Sequence, residues 1–330
     1  MINYLLRRIA LALGSLFVLT ILVFASANIL PGNPAIAILG RDADPEKVIF
    51  IQKSLGLDRP ISTRYLDWVF GVMKLDFGNS VTQGVGTFGL SSESGGDTVH
   101  GRGGTAVSTL VAVPLKNTGI LASISLSLLF LLTIIIGTFS ALKYRSKIDN
   151  VLQVIGLFFI SLPEFVLGAI LIVIFSFAIP ILPAVSFEVS ILGLILPVLT
   201  LVLSMLGVTS RLLRVGVIEV LQSNYVITAR LRGIPEKNII RRYLIPNALA
   251  PTLQIFAIAA GLFVGGMVVV ENLFGYPGIG NGFVNAVAGR DYPVVQAYAI
   301  ILGSTYIVAN LIADLITIST NAKLREAVLI

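Results

Sequence analysis

The chain has 330 residues, 56% of them hydrophobic and only 12% charged, with a mean hydropathy of +0.95. A soluble domain carries about 25% charged residues, so a water-soluble globule is excluded and an integral membrane protein is expected. Cysteine is absent, which removes disulfides, thiolate metal sites and cysteine nucleophiles; the net charge of +6 fits the basic inner loops of a membrane protein, with no nucleic-acid partner.

Six apolar segments have the roughly 20 residues that crossing the hydrocarbon requires: 9–30, 118–142, 151–179, 190–213, 248–271 and 294–318. Their Pro163, Pro197, Gly261, Gly265 and Gly266 are tolerated in spanning helices. The first segment follows Arg7-Arg8 and ends near Ala25-Ser26-Ala27, a pattern that also occurs in signal peptides. A cleaved signal has an apolar core of about 7–15 residues; this one is longer, and a retained first helix over 1–30 is expected.

The long first loop, 31–117, divides in two. Residues 44–76 read as partly helical: Asp44-Pro45 is a helix start, and "RYLDWVFGVMKLDFG" has amphipathic spacing. Residues 81–106, rich in Gly and Ser, read as a flexible loop. The single histidine, His100, lies there without ligand partners, so no metal site is expected. Residues 118–320 hold the other five spans, with a loop at 219–247 and a tail at 321–330.

An inside N-terminus puts Arg7, Arg8, Lys143, Arg145, Lys147, Arg211, Arg214, Arg230, Arg232, Lys237, Arg241, Arg242, Lys323 and Arg325 on the cytoplasmic side. Only Asp149, Glu219, Glu236 and Glu326 oppose them. That asymmetry places both termini in the cytoplasm.

Two acids fall inside spans. Glu164 follows Pro163, and Asp314 lies near the inner end of the last helix. Ionisable residues at such depth point to function by default. Glu164 either bonds backbone freed by Pro163 or serves a functional site within the membrane; Asp314 is expected to snorkel or pair locally.

The loop "ITARLRGIPEKNIIRRYLIPNALAP" is basic between two apolar runs. Asn224 can cap a helix over about 225–232, and Gly233 supplies the left-handed residue that ends one. Pro235 suits the first position of a second helix, Glu236 its positive end and Arg241-Arg242 its negative end. Tyr225, Ala229 and Gly233 recur every fourth position, a row tapering to no side chain. The loop either rests on anionic headgroups, each cation contributing about 1 kcal/mol, or forms a surface that another protein approaches closely.

In the fifth span, Ala257, Gly261 and Gly265 form a small face. It either packs against another helix of the chain or lines a gap at a subunit interface. Glu271 and the turn "GYPGIG" follow at the external mouth.

Along most of its length the chain resembles the permease subunits of dipeptide, oligopeptide and nickel ABC importers. The resemblance is carried by Arg7-Arg8, "LPGNP", "GLDRPISTRYLDW", "LDFGNS", "SLPEFVLG", "YVITARLRG", "VVVENLFGYPGIG" and "RDYPVVQ", in that order. The wider importer pattern in the coupling loop is Glu-Ala-Ala, three residues, Gly, nine residues, Ile-x-Leu-Pro. Here it reads Ile227-Thr228-Ala229, Gly233, then Tyr243-Leu244-Ile245-Pro246. The change at 227–228 is usual in the peptide branch; the 81–106 insert and the tail depart from the family.

The resemblance implies an all-α, polytopic, type I ABC importer permease bundle of six transmembrane helices, with both termini cytoplasmic. It implies an ATPase-coupling loop using Tyr225, Thr228, Ala229, Arg230, Arg232, Gly233, Pro235 and Pro246. It also implies a translocation path near Glu164, Ala257, Gly261, Gly265 and Glu271. The partners implied are a second homologous permease, two cytoplasmic ABC ATPases, an external substrate-binding protein and membrane lipids. The implied cargo is a di- or oligopeptide, with nickel or another small solute as the alternative.

No phosphate-binding G-x-x-x-x-G-K-[ST] stretch occurs. The chain is therefore expected to be no enzyme and to carry no cofactor, ATP and Mg being bound by the partner ATPases. An ion-coupled secondary transporter is the rival, but the inverted repeats common in that class are not seen. One histidine excludes an H-E-x-x-H protease.

Overall fold

The computed structural model describes residues 2–29, 58–80 and 105–320, with 49 and 82 besides. Most of 44–57 and of 81–106, with His100, and the tail 321–330 lie outside the described residues. Among these residues the secondary structure is helical, with one isolated antiparallel bridge, Asn79–Ala106.

The elements are α1 (Ile2–Ile29), α2 (Ile61–Met73), α3 (Val107–Leu142), α4 (Lys147–Ser161) and α5 (Glu164–Ile172), the last ending in a π-helical turn, Val173–Ala178. They continue with α6 (Ile191–Leu221), α7 (Asn224–Leu231) and α8 (Glu236–Ile239). A π-helical segment, Ile240–Leu244, joins α8 to α9 (Ile245–Leu273); α10 (Ile279–Ala288) and α11 (Tyr292–Thr320) complete the order.

Helices α1, α3, α6 and α11 are long and apolar enough to cross a membrane. The expected third span is not one straight helix: α4 and α5 meet at 104°. Leu162 is extended, with φ −93° and ψ 128°, as the residue before a proline prefers. Pro163, which lacks an N–H, then sits just ahead of α5. Pro114 and Pro197, by contrast, lie inside continuous α3 and α6.

The chain divides into two compact units. The first comprises 1–14, 118–277 and 305–330. Its core holds Leu121, Leu129, Leu167, Leu201, Phe263 and Val270, with α6 packed against α4, α5 and α9. Close approach depends on glycine: a Cβ on Gly207 would run into the Gly156 backbone carbonyl of α4, the small-residue packing that lipid-embedded helices use. Asp314 pairs not locally but with Arg8 of α1, at 2.9 Å.

The second unit comprises 15–117 and 278–304. Val107, Val111, Ile279, Ala286, Val294 and Tyr298 form its core. The apolar face of α2 is used here: the Phe24 ring lies 5.4 Å from that of Tyr65 and 5.7 Å from that of Trp68. Asp291 is buried and its Oδ2 accepts from the Ser80 hydroxyl, from Thr82 N–H at 3.2 Å and from the Thr82 hydroxyl at 2.7 Å. Ser80 N–H donates to Thr105 O and Val107 N–H to Gly78 O, both at 2.9 Å. The stretches "LDFGNS" and "RDYPVVQ" therefore meet.

Candidate coupling loop and translocation face

The loop between α6 and α9 folds as a helical hairpin. Helix α7 starts one residue earlier than expected, so Asn224 is its first helical residue rather than its cap. The preceding Ser223 turns its hydroxyl back to Val220 O at 2.6 Å. At the far end Gly233 has φ +70°. Its N–H donates to Arg230 O at 2.9 Å, and Ile234 N–H reaches Ala229 O at 3.2 Å. Those two bonds and the left-handed glycine make a Schellman ending.

Pro235 then occupies the cap position of α8, one residue before the place expected for it, and Glu236 is the first helical residue. Arg241 and Arg242 do not stand at a helix end: they lie in the π-helical segment that runs on into α9.

The tapered row is divided by the fold. Ala229 is turned inward with Val226 onto Ile239, whereas Tyr225 and Gly233 are exposed. The outward face of α7 instead presents Tyr225, Ile227, Thr228, Arg230 and Leu231, the last 84% exposed. The Thr228 hydroxyl donates to Asn224 O at 2.8 Å, and Arg232 is exposed at the helix end.

Arg230 pairs with Glu236 across the turn, Nη2 to Oε1 at 2.6 Å and Nε to Oε2 at 3.3 Å. The guanidinium's hydrogen bond holds the Glu236 carboxyl below its ordinary range, and the same bond raises Arg230. Of Pro246 the backbone alone is described, in the first turn of α9.

The other candidate residues gather in α5 and α9. Glu164 opens α5. The Val166 and Leu167 N–H groups both donate to Pro163 O at 3.0 Å, so the proline's carbonyl serves the helix start. The Glu164 carboxylate lies against α9, where a Cβ on Gly266 would stand 2.7 Å from either oxygen. Sequence reading missed Gly266 as the contact; the four-residue repeat favoured Gly265 in its place.

Gly261 and Gly265 face different surroundings. Gly261 is buried, its missing Cβ 3.4 Å from the Tyr306 ring, whereas Gly265 is exposed with nothing within 4 Å. Ala257 lies in α9, and its side chain is outside the described residues.

Glu271 lies near the end of α9. It is fully buried and accepts from the Thr118 hydroxyl at 2.6 Å. Burial and then the charge of Glu271 push the neighbouring Tyr276 hydroxyl up to about 12. Gly275, at φ +60°, makes the turn that lets Tyr276 N–H reach Glu271 O at 2.8 Å. Among the described residues no group of acidic, histidine or cysteine side chains forms a metal site.

Residues 133–325 match the family described as "Binding-protein-dependent transport system inner membrane component", and residues 1–99 match the N-terminal component of such membrane proteins. The chain is 30% identical over 325 residues to the glutathione transport system permease protein GsiC of Escherichia coli (strain K12), covering 98% of this chain and 99% of that one. Its counterparts in Salmonella typhi and Pectobacterium atrosepticum are 30% and 29% identical, with the same coverage. With an all-helical, multi-pass architecture and both parts of the permease matched, the chain belongs to the family of inner-membrane permease components of binding-protein-dependent ABC importers.

Proposed function

We propose that the chain forms half of the translocation pathway of a peptide importer, α7 serving as its contact with an ATPase. The observation carrying this is the outward face of α7, where Tyr225, Ile227 and Leu231 are exposed beside Arg230 and Arg232. A headgroup-resting loop accounts for the cations, but it does not require the tight Gly233 ending of a helical hairpin. Pro235 and Pro246 then bound the second arm, while Thr228 and Ala229 tie α7 to its own backbone and to the cluster beneath.

On this reading the chain crosses the membrane six times with both termini in the cytoplasm, α9 supplying the fifth crossing. It works with a second homologous permease, two cytoplasmic ATPases and an external substrate-binding protein, within membrane lipid. The chain itself has no ATPase chemistry and needs no cofactor: ATP and Mg belong to the ATPase subunits. Nucleotide-driven closure of the ATPases would move the two coupling helices together and rock the bundles, a rigid-body switch. Glu164, Ala257, Gly261 and Gly265 border the path, and Glu271 positions the turn at its outer end.

Small peptides are the cargo favoured, since the relatives are named for transport of glutathione, itself a tripeptide; nickel or another small solute is the alternative. Purification of the tagged chain in mild detergent, with identification of what accompanies it and vesicle uptake of labelled peptides, glutathione and nickel, tests the reading. ATP-dependent peptide uptake requiring a co-purifying ATPase and a binding protein is expected. Uptake that persists without any ATPase would overturn it.

A further inference from the structure

We infer that Asp149 and Arg214 form a positioning lock that makes the ends of α3, α4 and α6 move as one body with the 219–247 loop; this rests on the coupling role proposed above. Asp149 is fully buried, yet both of its oxygens are well supplied with donors. Arg214 Nε donates to Oδ1 at 2.7 Å and Nη2 to Oδ2 at 2.6 Å. The Ser140 hydroxyl adds a bond to Oδ1 at 2.5 Å, and Arg145 N–H one to Oδ2 at 3.0 Å.

Around this centre, Gln153 Nε2 donates to Ser140 Oγ at 3.1 Å. The guanidinium groups of Arg145 and Arg214 each lie 5.2 Å from the centre of the Tyr144 ring. Arg145 has φ +62°, a left-handed turn that aims its N–H at the acid. The end of α3, the turn 143–146, the start of α4 and the body of α6 thus converge on one carboxylate.

A continuous packed path leads from this point to the coupling hairpin. Arg214 lies seven residues before Leu221, the last residue of α6, about 10 Å of helical rise. Next to it, Leu213 and Val217 of α6 pack with Ala141 of α3, with Leu244 of the returning π-helical segment and with Ala248 of α9. Beyond them, Val220 packs against the cluster of Val226, Ala229 and Ile239. Close-packed interiors transmit displacement rather than absorb it.

Apolar contacts alone, however, permit one helix to slide along another. A planar guanidinium held by two parallel bonds fixes direction as well as distance, so the ion pair sets the register of α6 against α3 and α4. Stability by itself gives no reason for this chemistry, because well-packed apolar residues can replace a buried ion pair without loss. A function that depends on register does.

The test uses the complete importer in lipid vesicles with its binding protein, comparing the parent with Asp149→Asn and Arg214→Lys. The readings are retained ATPase, basal hydrolysis and uptake per ATP hydrolysed. Both variants should assemble and keep basal hydrolysis, while uptake per ATP falls by about fivefold or more. If Asp149→Asn does not assemble, Arg214→Lys, which keeps the charge but not the planar fork, decides.

Parent-level uptake per ATP overturns the lock. Loss of assembly in both variants does so too, because the pair would then be a fold determinant alone. Gly233→Glu, measured alongside, separates the two readings. If it couples normally, the loop's role fails and the lock with it; if it uncouples while the lock variants couple normally, the lock alone fails.

Discussion

At the level of single residues, the same atom can be cheap or costly to add depending on what it meets. Gly233 stands in open space with φ +70°, so Gly233→Ala meets backbone strain alone, on the order of 1 kcal/mol. Under the coupling reading, Gly233→Glu also sets a long charged side chain against the docked ATPase. The expected outcome is near-parent uptake for Gly233→Ala, and loss of ATPase retention or of uptake per ATP for Gly233→Glu, measured on the purified complex in lipid. Gly266 differs: its added Cβ would meet the flexible end of Glu164, 2.7 Å away. Gly266→Ala should therefore fold normally but displace the carboxylate, changing the preference among cationic, neutral and anionic peptides in the same direction as Glu164→Gln. Unchanged uptake of all three in both variants would remove Glu164 from the path.

Between elements, the obstacle is backbone and cannot swing aside. A Cβ on Gly207 collides with the Gly156 carbonyl and with Ile160, so Gly207→Ala should force α4 from α6. Overpacking of this kind costs about 1–3 kcal/mol, which a lower thermal midpoint of the detergent-solubilised complex would reveal. The α7–α8 hairpin gives a pH signature. Glu236 has its carboxyl lowered by Arg230, so the pair's contribution is present above the ordinary glutamate value of 4.5 and is lost as pH falls through the folded value. Both groups are about half exposed, so the effect is small. Faster hydrogen exchange at the Gly233 and Ile234 amides in mild acid, after correction for intrinsic rates and absent from Glu236→Gln, is expected.

For the whole molecule, the clamp of Asp291 on Ser80 and Thr82 and the Asn79–Ala106 bridge hold residues 79, 80 and 82 beside Ala106 and Asp291. Replacing 85–103 by a short glycine-containing turn should leave membrane insertion and assembly at the parent level; failure of the shortened chain to recover its partners by co-purification would show that the segment is needed for the fold. The sequence alone determined the membrane class, because burying a composition with 12% charged residues in water leaves too little polar surface. It also determined the long apolar helices α1, α3, α6 and α11, the hairpin between α6 and α9 and the Gly233 ending, since apolar run length and turn chemistry are local properties of the chain. The tertiary structure decided the rest. That Ala229 faces inward, that Gly266 rather than Gly265 receives Glu164, that Asp314 reaches Arg8, and that Asp149 is filled by Arg214 depend on how helices rotate and register against one another. No periodicity within one helix fixes that choice, because the partners lie tens to hundreds of residues apart and are selected by shape and charge only when the helices pack.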